Sequence, residues 1–327
     1  MPFSLKSASV FVFACFAYGI SSAVVKKGLT HFGPFVMIFY RMFFGLIPSV
    51  FSLLYSVFFD FEFRMRWKEY ILLKGWDLFH ICFTGFCFLG ITYPCIGIAL
   101  IWIPSHAEQI MHPIAAMVGA IVSHFAFHDE KFHIYKFLSI VISTVGLAMV
   151  IYPTMDHPGP SSTLFQIVMG YCLVFFAVCV FGVTSVYMKA KTIKFHPNVV
   201  TVYQMIVATI FNFIVTIFFE GHNKLIEQSK SAKIDNWIWP IIVGVVGTGL
   251  SQTAANYLVA NVGATAVAFT GIGQVSFGVI SGVIWLKEWA GYSYIEIIIS
   301  MCGISIIVFG VIIGFIEPKH QEYEPLP

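Results

Sequence analysis

The chain has 327 residues, of which 58% are hydrophobic and only 10% are charged, and its formal net charge at pH 7 is +2. A soluble domain carries about 25% charged residues. This composition cannot cover a water-facing surface, so it excludes a soluble globular protein. Because no basic run is longer than a short loop, the sequence also gives no support for nucleic acid binding.

Apolar stretches divide the chain into ten predicted transmembrane helices. A helix needs about 20 apolar residues to cross the hydrocarbon core. The least distinct boundary is a tight turn at Pro104 and Ser105. The first stretch follows Lys6 and is similar to a signal peptide, but its recurrence later in the chain favours a membrane span. The predicted spans are 8–26, 35–59, 78–99, 104–127, 135–153, 163–188, 198–219, 237–259, 262–287 and 292–315.

Basic residues in the loops predict the orientation of the chain in the bilayer. If the N-terminus is cytosolic, the cytosolic segments hold 11 Lys and Arg residues and the opposite side holds 6. The segment RMRWK at 64–68 makes the largest contribution. The positive-inside rule therefore predicts that both termini face the cytosol. Whether the membrane is the plasma membrane or an endomembrane stays open.

The chain contains an internal repeat. The segment GISSAVVKKGLTHFGPFVMIFYR starts at Gly19, and it matches GVTSVYMKAKTIKFHPNVVTVYQ, which starts 163 residues later at Gly182. The match needs no gap, and the two segments end on Arg41 and Gln204. Because glycines, prolines and polar residues coincide at a constant offset, a chance likeness between apolar helices is the weaker interpretation.

A second pair of segments matches at an offset of 158 residues. FAFHDEKFHIYKFLSIVISTVG aligns with GVIWLKEWAGYSYIEIIISMCG, so that Glu130 meets Glu288, and Gly146 meets Gly303 after one added residue. Each half of the chain therefore contains five predicted spans. Because five is an odd number, the two halves must have opposite orientations in the bilayer, which is typical of many secondary transporters.

The predicted fold class is an all-α integral membrane protein, in which ten transmembrane helices form two inverted five-helix repeats around a central cavity. The first repeat is assigned to residues 1–153 and the second to residues 163–315. Residues 316–327 are predicted to form a short cytosolic tail. Two like halves that exchange their conformations would open such a cavity on alternate sides of the membrane.

Several motifs resemble the drug/metabolite transporter superfamily, and within it the EamA-type carriers with five plus five spans, which are similar to nucleotide-sugar transporter-like solute carriers. They are GISSAVVKKG followed by GPFVMIFYRMFFG, then IALIWIPSHAEQIMHPIAAMVGAIVSHFAFHDE, and its counterpart LVANVGATAVAFTGIGQVSFGVISGVIWLKE. The likeness covers nearly all of residues 8–315, but Gly271 stands where the family usually has Pro. The resemblance implies a central cavity that is lined by both halves and that carries organic solutes.

Glu108 lies in a stretch, SHAEQIMHP, that is otherwise apolar enough for a membrane. Ser105 and Glu108 have the spacing of a capping box, in which Glu108 would accept from the Ser105 N–H group and close the start of the fourth span. In the other interpretation, Glu108 faces the cavity and binds a cation or a proton. The sequence leaves both interpretations open.

His112 lies four residues after Glu108, so the two side chains share one face of the helix. Ionisable groups inside a membrane are costly and usually face a cavity or a partner. His112 is therefore expected either to bond to a neighbouring helix or to contact substrate and relay protons. His106 is a third candidate for proton coupling. Pro113 cannot donate to the Gln109 carbonyl, and it is expected to kink the helix.

Arg41 lies inside the apolar run FVMIFYRMFFGLI of the second span. A charge in that position must be paired or face water. Arg41 is expected either to be a structural partner of Glu108 or of backbone carbonyl groups, or to clamp an anionic or polar group of the substrate.

The second half offers amide and phenol groups as further candidates for substrate binding. Gln252 and Asn256 are four residues apart on one face of the eighth span, next to Tyr257, and Gln274 lies in the ninth span. Hydrogen bonds between helices would also explain these residues. The sequence does not decide between the two roles.

The expected function is secondary transport of a small organic solute by alternating access, either coupled to protons or as an exchange of two solutes. A membrane-embedded enzyme and a receptor are the alternatives, but no catalytic motif, metal-ligand set or cofactor motif is found. The expected partners are the solute and the lipid bilayer. A homodimer stays open, as does a sorting adaptor at the Y-x-x-apolar motif Tyr323–Leu326.

Overall fold

The computed structural model describes residues 5–126, 134–156, 163–192, 194–261 and 264–314, and no strand occurs within these ranges. The α-helices are α1 (Leu5–Gly28), α2 (Pro34–Phe59), α3 (Phe61–Met65), α4 (Trp67–Ile71), α5 (Gly75–Gly85), α6 (Thr92–Trp102), α7 (Ser105–Met111), α8 (Pro113–Ala126), α9 (Ile134–Asp156), α10 (Leu164–Lys191), α11 (Pro197–Phe219), α12 (His222–Ser231), α13 (Ile234–Gly244), α14 (Ser251–Asn261), α15 (Ala264–Ile280) and α16 (Tyr294–Gly314).

Ten apolar helical stretches correspond to the ten predicted spans. Seven are long and apolar enough to cross a membrane, and three more apolar stretches, 137–153, 273–285 and 294–310, are shorter in the described part of the chain. Three spans contain a π-helical segment: Phe86–Ile91 joins α5 to α6, Val245–Leu250 joins α13 to α14, and Ser281–Trp285 follows α15. The predicted all-α, multi-pass membrane architecture is therefore confirmed.

The first span of each half packs on the fourth span of the other half. A Cβ atom built on Gly19 of α1 would lie 2.6 Å from the backbone oxygen of Gln274 in α15. A Cβ atom built on Gly182 of α10 would lie 2.5 Å from the backbone oxygen of Ala115 in α8. Both positions need glycine because the helix backbones touch there. The two glycines that the repeat pairs thus make equivalent contacts.

The last spans of the two halves, α9 and α16, meet at a pair of glycines. A Cβ atom on Gly146 would lie 2.6 Å from the Gly303 oxygen, and one on Gly303 would lie 2.7 Å from the Gly146 oxygen. A two-fold relation between the halves requires equivalent residues to contact each other reciprocally, and these two glycines do so. The repeat read from the sequence is therefore present in the packing.

The connections define two faces of the bundle. Helices α3 and α4 lie at the face where α1 begins, which we call the terminal face. Helix α12 lies at the opposite face, where the Gly33 N–H donates to Gln228 Oε1 at 2.9 Å and the Phe35 N–H donates to Glu220 Oε1 at 2.8 Å. These bonds close the start of α2 with side chains from the second half.

The fourth span is interrupted at His112, where α7 ends and α8 begins at Pro113. The Gln109 carbonyl was expected to lose its donor here, but it accepts from the His112 N–H at 3.2 Å. The last turn of α7 tightens to bring this N–H into reach. In the second half, α15 runs without interruption through Gly271.

Candidate functional site

Polar side chains from both halves, most of them buried, lie between the spans, and we call them the central network; hydrogen bonds join most of them, and Arg41, Thr248 and Tyr93 form a neighbouring group. Two of its members are ionisable groups removed from solvent, since Arg41 is 1% exposed and Glu108 is 0% exposed. Charged groups at such positions are costly unless they are paired or face a cavity. The members are Tyr18, Ser22, Arg41, Thr84, Tyr93, Glu108, Gln109, His112, Thr201, Gln204, Thr248, Gln252 and Asn256.

Glu108 is the acceptor for three side chains. Its Oε2 atom accepts from Ser22 Oγ at 2.5 Å and from Gln109 Nε2 at 3.1 Å, and its Oε1 atom lies 2.7 Å from His112 Nε2. The i, i+4 spacing explains the last contact, because the two side chains lie on one face. The other Gln109 amide atom, Oε1, is buried without a hydrogen-bond partner among the described residues.

The capping-box interpretation of Glu108 is wrong. The N-cap residue of α7 is Pro104, the Glu108 N–H donates to the Pro104 carbonyl at 3.3 Å, and the Ser105 N–H donates to Glu288 Oε1 at 2.7 Å. A carboxylate from the second half thus occupies the helix end that Glu108 was expected to close. The Glu108 side chain is free to turn into the central network.

Arg41 reaches across to the second half. Its Nε donates to Thr248 Oγ1 at 2.7 Å, its Nη2 donates to the Gly247 carbonyl at 3.2 Å, and its guanidinium lies 4.0 Å from the centre of the Tyr93 ring. The backbone contact fits the structural interpretation, and the cation–π contact fixes the plane of the guanidinium. Two of its five N–H donors are accounted for by these bonds.

Gln204 occupies the position equivalent to Arg41, and sequence analysis missed its role. Its Nε2 donates to Thr84 Oγ1 at 3.0 Å, and its Oε1 accepts from Gln252 Nε2 at 3.3 Å and from Asn256 Nδ2 at 3.4 Å. The repeat alignment, which pairs Arg41 with Gln204, was the signal that could have found it. Each of the two residues lies on the second span of its half and bonds to a threonine of the other half.

Both threonines stand in a Thr-Gly pair beside or within a π-helical segment. Thr84 immediately precedes Gly85 and the first segment, and Thr248 lies within the second. A Cβ atom on Gly85 would lie 2.6 Å from the Gln204 Cα atom, so the backbones of α5 and α11 touch there. Widened helical turns of this kind are frequent at functional sites.

The remaining predicted residues of the second half separate into two groups. Gln252 and Asn256 belong to the central network, and Tyr18 Oη donates to Gln252 Oε1 at 3.2 Å. Tyr257 lies elsewhere, with Lys6 Nζ 5.3 Å from its ring centre near the terminal face. Gln274 is buried in α15, where its backbone lies against α1.

His112 lies at the edge of the central network and is more exposed than its partner Glu108. Its side chain is 15% exposed, whereas the Glu108 side chain to which it bonds is 1% exposed. Its ring also lies edge-on to Phe181 of α10, at 6.3 Å between ring centres.

A second polar group lies at the opposite face, and we call it the Glu288 cluster (Lys26, Ser105, His106, Glu288 and Trp289). Glu288 Oε2 accepts from Ser105 Oγ at 3.0 Å and from the His106 N–H at 3.1 Å, and it lies 2.7 Å from His106 Nδ1. Lys26 Nζ lies 3.4 Å from Glu288 Oε1. Lys287, with a φ of 54°, turns the chain so that Glu288 points back toward α7.

Both ring nitrogens of His106 have hydrogen-bond partners in the Glu288 cluster. Trp289 Nε1, which can only donate, donates to His106 Nε2 at 3.2 Å. On the other side of the ring, His106 Nδ1 faces Glu288. Burial would raise the pKa of Glu288, but the hydrogen bond from His106, the electrostatic attraction to His106 and to the Lys26 ammonium, and the Ser105 N–H group outweigh it and lower this pKa to about 2.

The repeated five-span halves, the reciprocal packing and the buried network define a multi-pass membrane protein of the class to which many carriers belong. The family model of the EamA-like transporter family matches residues 5–152 and again residues 168–313. The chain therefore belongs to the EamA-like transporter family, whose members are generally transporters.

Comparison with other proteins adds information about the fold. No curated protein matches the chain. Among solved structures, 28 chains match. One of them, titled "Crystal structure of protein", has a TM-score of 0.66 and 12% identity, over 95% of this chain and 96% of that chain. At this identity the likeness shows a common fold alone.

Proposed function

We propose that the chain is a secondary transporter that moves a small organic solute by alternating access, with the central network as the substrate site. The observation that carries the proposal is that the two halves jointly contribute buried charged and amide groups to one network. Rocking of two like halves would expose such a site to each side in turn. A bundle that only had to span the membrane would gain nothing from a buried guanidinium and carboxylate.

We assign substrate contacts to the polar atoms at the centre of the network. Arg41, Glu108, His112, Gln252 and Asn256 were predicted from the sequence, and Gln204 and Gln109 join them here. The unpartnered Gln109 Oε1 atom supports this assignment, because a buried acceptor without a donor is uncommon. Tyr257 contacts Lys6 instead and is left out, and Gln274 stays a prediction.

Proton coupling is supported by the Glu108–His112 pair. A carboxylate that is buried and bonded to a partly exposed imidazole can take up and release protons through the imidazole. In this mode, the two residues carry the proton and the rest of the network carries the solute. Exchange of two solutes without an ion is the other mode, and it would show no dependence on a pH gradient.

The orientation of the chain decides which side of the membrane the Glu288 cluster faces. With both termini in the cytosol, as the loop charges favour, the Glu288 cluster closes the non-cytosolic side. His106, a third proton candidate in the sequence, would then have a structural role at this closure. A membrane-embedded enzyme or a receptor remains the alternative class, but neither mechanism needs the inverted repeat.

The experiment is a ligand screen followed by transport. Purified protein in liposomes is screened for thermal stabilisation by a metabolite panel, beside Arg41→Gln and the control Tyr257→Phe, which lies outside the network. A ligand at about 100 times its Kd stabilises by about 2.7 kcal/mol.

We expect each hit to show counterflow in wild type and in Tyr257→Phe, and to be lost in Arg41→Gln. Hits that bind Arg41→Gln as tightly as wild type, or that bind without counterflow, would contradict the proposal.

A further inference from the structure

The connection between the second and third spans, residues 60–77, contains an exposed stretch outside the central network and the Glu288 cluster. Residues 64–68, RMRWK, place three basic side chains within five positions, and no acidic residue lies among them. All five side chains are exposed. Cations combined with large apolar side chains are typical of a segment that lies in the interface between a membrane and water.

A buried anchor fixes this stretch against the bundle. Phe63 is 1% exposed, and its ring stacks on Tyr70 at 5.2 Å and meets the His196 ring edge-on at 4.6 Å between ring centres. Tyr203 Oη in α11 donates to the Ile71 carbonyl at 2.7 Å. The start of α11 thereby holds α3 and α4 on the terminal face, and the RMRWK stretch stays on the outer surface.

The ends of the neighbouring spans set the depth of the stretch. Helix α2 ends at Phe59 and α5 begins at Gly75, so α3 and α4 connect two spans where both leave the hydrocarbon core. Amphipathic aromatic side chains are exposed near both ends, since Tyr55 is 65% exposed and Trp76 is 74% exposed. Such residues mark the level of the lipid headgroups. The RMRWK stretch therefore lies at that level.

The corresponding connection of the second half, residues 220–236, has a different character. Its three lysines are interspersed with Glu227, and Asp235 follows them. Its exposed large hydrophobic side chains are Ile226 and Ile234. The connection 60–77 exposes more of them, and three are aromatic or contain sulfur beside the cations: Phe61, Met65, Trp67, Leu72 and Trp76. This difference indicates that α12 faces water, whereas α3 and α4 lie in the interface.

Acidic residues confine the positive charge to the stretch itself. The connection 60–77 has four basic and four acidic residues in all. Two of the carboxylates have local partners, because Asp60 Oδ1 accepts from the Phe63 N–H at 3.2 Å and Asp77 Oδ1 accepts from Lys194 Nζ at 2.7 Å. None of the described ion pairs includes a basic residue of the RMRWK stretch. Its three cations are therefore available to an anionic ligand.

We propose that residues 64–68 bind the headgroups of anionic phospholipids in the adjacent leaflet. Arginine matches a phosphate group with two parallel N–H donors, and each basic residue near an anionic membrane surface adds to the attraction. Met65 and Trp67 contribute apolar contact area at the same depth. The proposal concerns a lipid and not the transported solute, so it is independent of the proposed function.

The test measures the binding of single lipids. Delipidated protein in a neutral detergent is titrated with phosphatidylserine and with phosphatidylcholine, each labelled with a fluorophore on an acyl chain, and binding is followed by fluorescence anisotropy. We expect wild type to bind phosphatidylserine about tenfold or more tightly at about 0.1 M salt, where the Debye length is about 10 Å. Most of this preference should be lost at about 1 M salt, where the Debye length is about 3 Å.

Matched variants locate the site. Arg64→Gln/Arg66→Gln should reduce the preference for phosphatidylserine about tenfold, and Arg64→Lys/Arg66→Lys, which keeps both charges, should retain most of it. The control is Lys230→Gln/Lys233→Gln, which removes two exposed charges from the opposite face and should leave the preference unchanged. Because both arginines are exposed, thermal unfolding of the glutamine variant without lipid should match that of wild type.

Three outcomes would overturn the proposal. The first is equal affinity of wild type for the two lipids, and the second is an equal loss of preference in the control variant. The third is competition by soluble glycerophosphoserine at the concentrations at which the lipid binds. In that case the ligand would be a free phosphate compound and not a membrane lipid.

Discussion

The central network and the Glu288 cluster are each built around a carboxylate–histidine pair with a separation of 2.7 Å. They differ in the origin of the carboxylate. Glu108 and His112 belong to one span, whereas Glu288 comes from the second half of the chain to meet His106 of the first. In the proposed transport cycle, a pair within one span does not need to separate. A pair between the halves must separate when the halves move apart.

This difference assigns the two pairs different roles. The Glu288 cluster is suited to hold one state, because it joins Lys26, α7 and the second half through several bonds at the opposite face. The central pair is suited to act in all states, since its contact does not depend on how the halves are arranged. The predictions that follow test this comparison in order of decreasing effect.

Loss of the central carboxylate should have the largest effect. Glu108→Ala leaves Ser22, Gln109 and His112 without their acceptor, and a buried donor that loses its partner costs about 1–3 kcal/mol. We expect a large fall in the melting temperature of the protein in nanodiscs, together with loss of counterflow. The control is Glu227→Ala, which removes an exposed carboxylate from α12. Equal melting temperatures for the two variants would contradict the role of Glu108 as an acceptor in the central network.

Glu288→Gln should mainly change the population of states. A neutral amide cannot keep the ion pair with Lys26, so opening of the opposite face becomes easier. The measurement uses a cysteine-free protein with a reporter cysteine at Ala107, a residue that is 2% exposed. Labelling by an impermeant maleimide from that side should rise by about tenfold, as for a change of about 1.4 kcal/mol.

The matched control for this labelling is Lys27→Gln, which changes the charge beside Lys26 and leaves the Glu288 cluster intact. Its labelling rate should stay near that of the parent protein. If Glu288→Gln labels no faster than this control, the Glu288 cluster does not hold the opposite face closed.

The dependence of stability on pH in the acidic range should show how much the Glu288 carboxylate stabilises the protein. Its pKa is lowered from 4.5 to about 2, so its contribution is complete above pH 4.5 and is lost as the pH falls toward 2. The difference in melting temperature between wild type and Glu288→Gln should therefore be constant from pH 5 to 7 and should shrink below 4.5. A difference that already shrinks between pH 7 and 5 would indicate another titrating group.

Trp289→Phe should have the smallest effect. The change removes one hydrogen bond to His106 Nε2 and keeps most of the aromatic packing, so we expect a loss of about 1 kcal/mol. Thermal unfolding measures it, with Trp76→Phe, on the exposed surface, as the control. A loss no larger than that of the control would argue against a hydrogen bond between Trp289 and His106.

The sequence by itself determined the elements and the repeat. Span positions follow from apolar runs, which are a local property, and the matched glycines at 146 and 303 revealed the relation between the halves before any contact was known. The contact between Glu108 and His112 was also predictable, because i, i+4 geometry depends only on the helix. Nearly the whole architecture could therefore be read from the chain.

Only the tertiary structure decided which partners the polar groups have. Glu108 and Glu288 both fit the start of α7, and Glu288 takes that place because the packing of the halves brings it there from 183 residues away. For the same reason, the central network includes Gln204, which was not predicted, and excludes Tyr257, which was. Contacts between distant spans depend on how helix faces meet in space, and local sequence patterns do not contain that information.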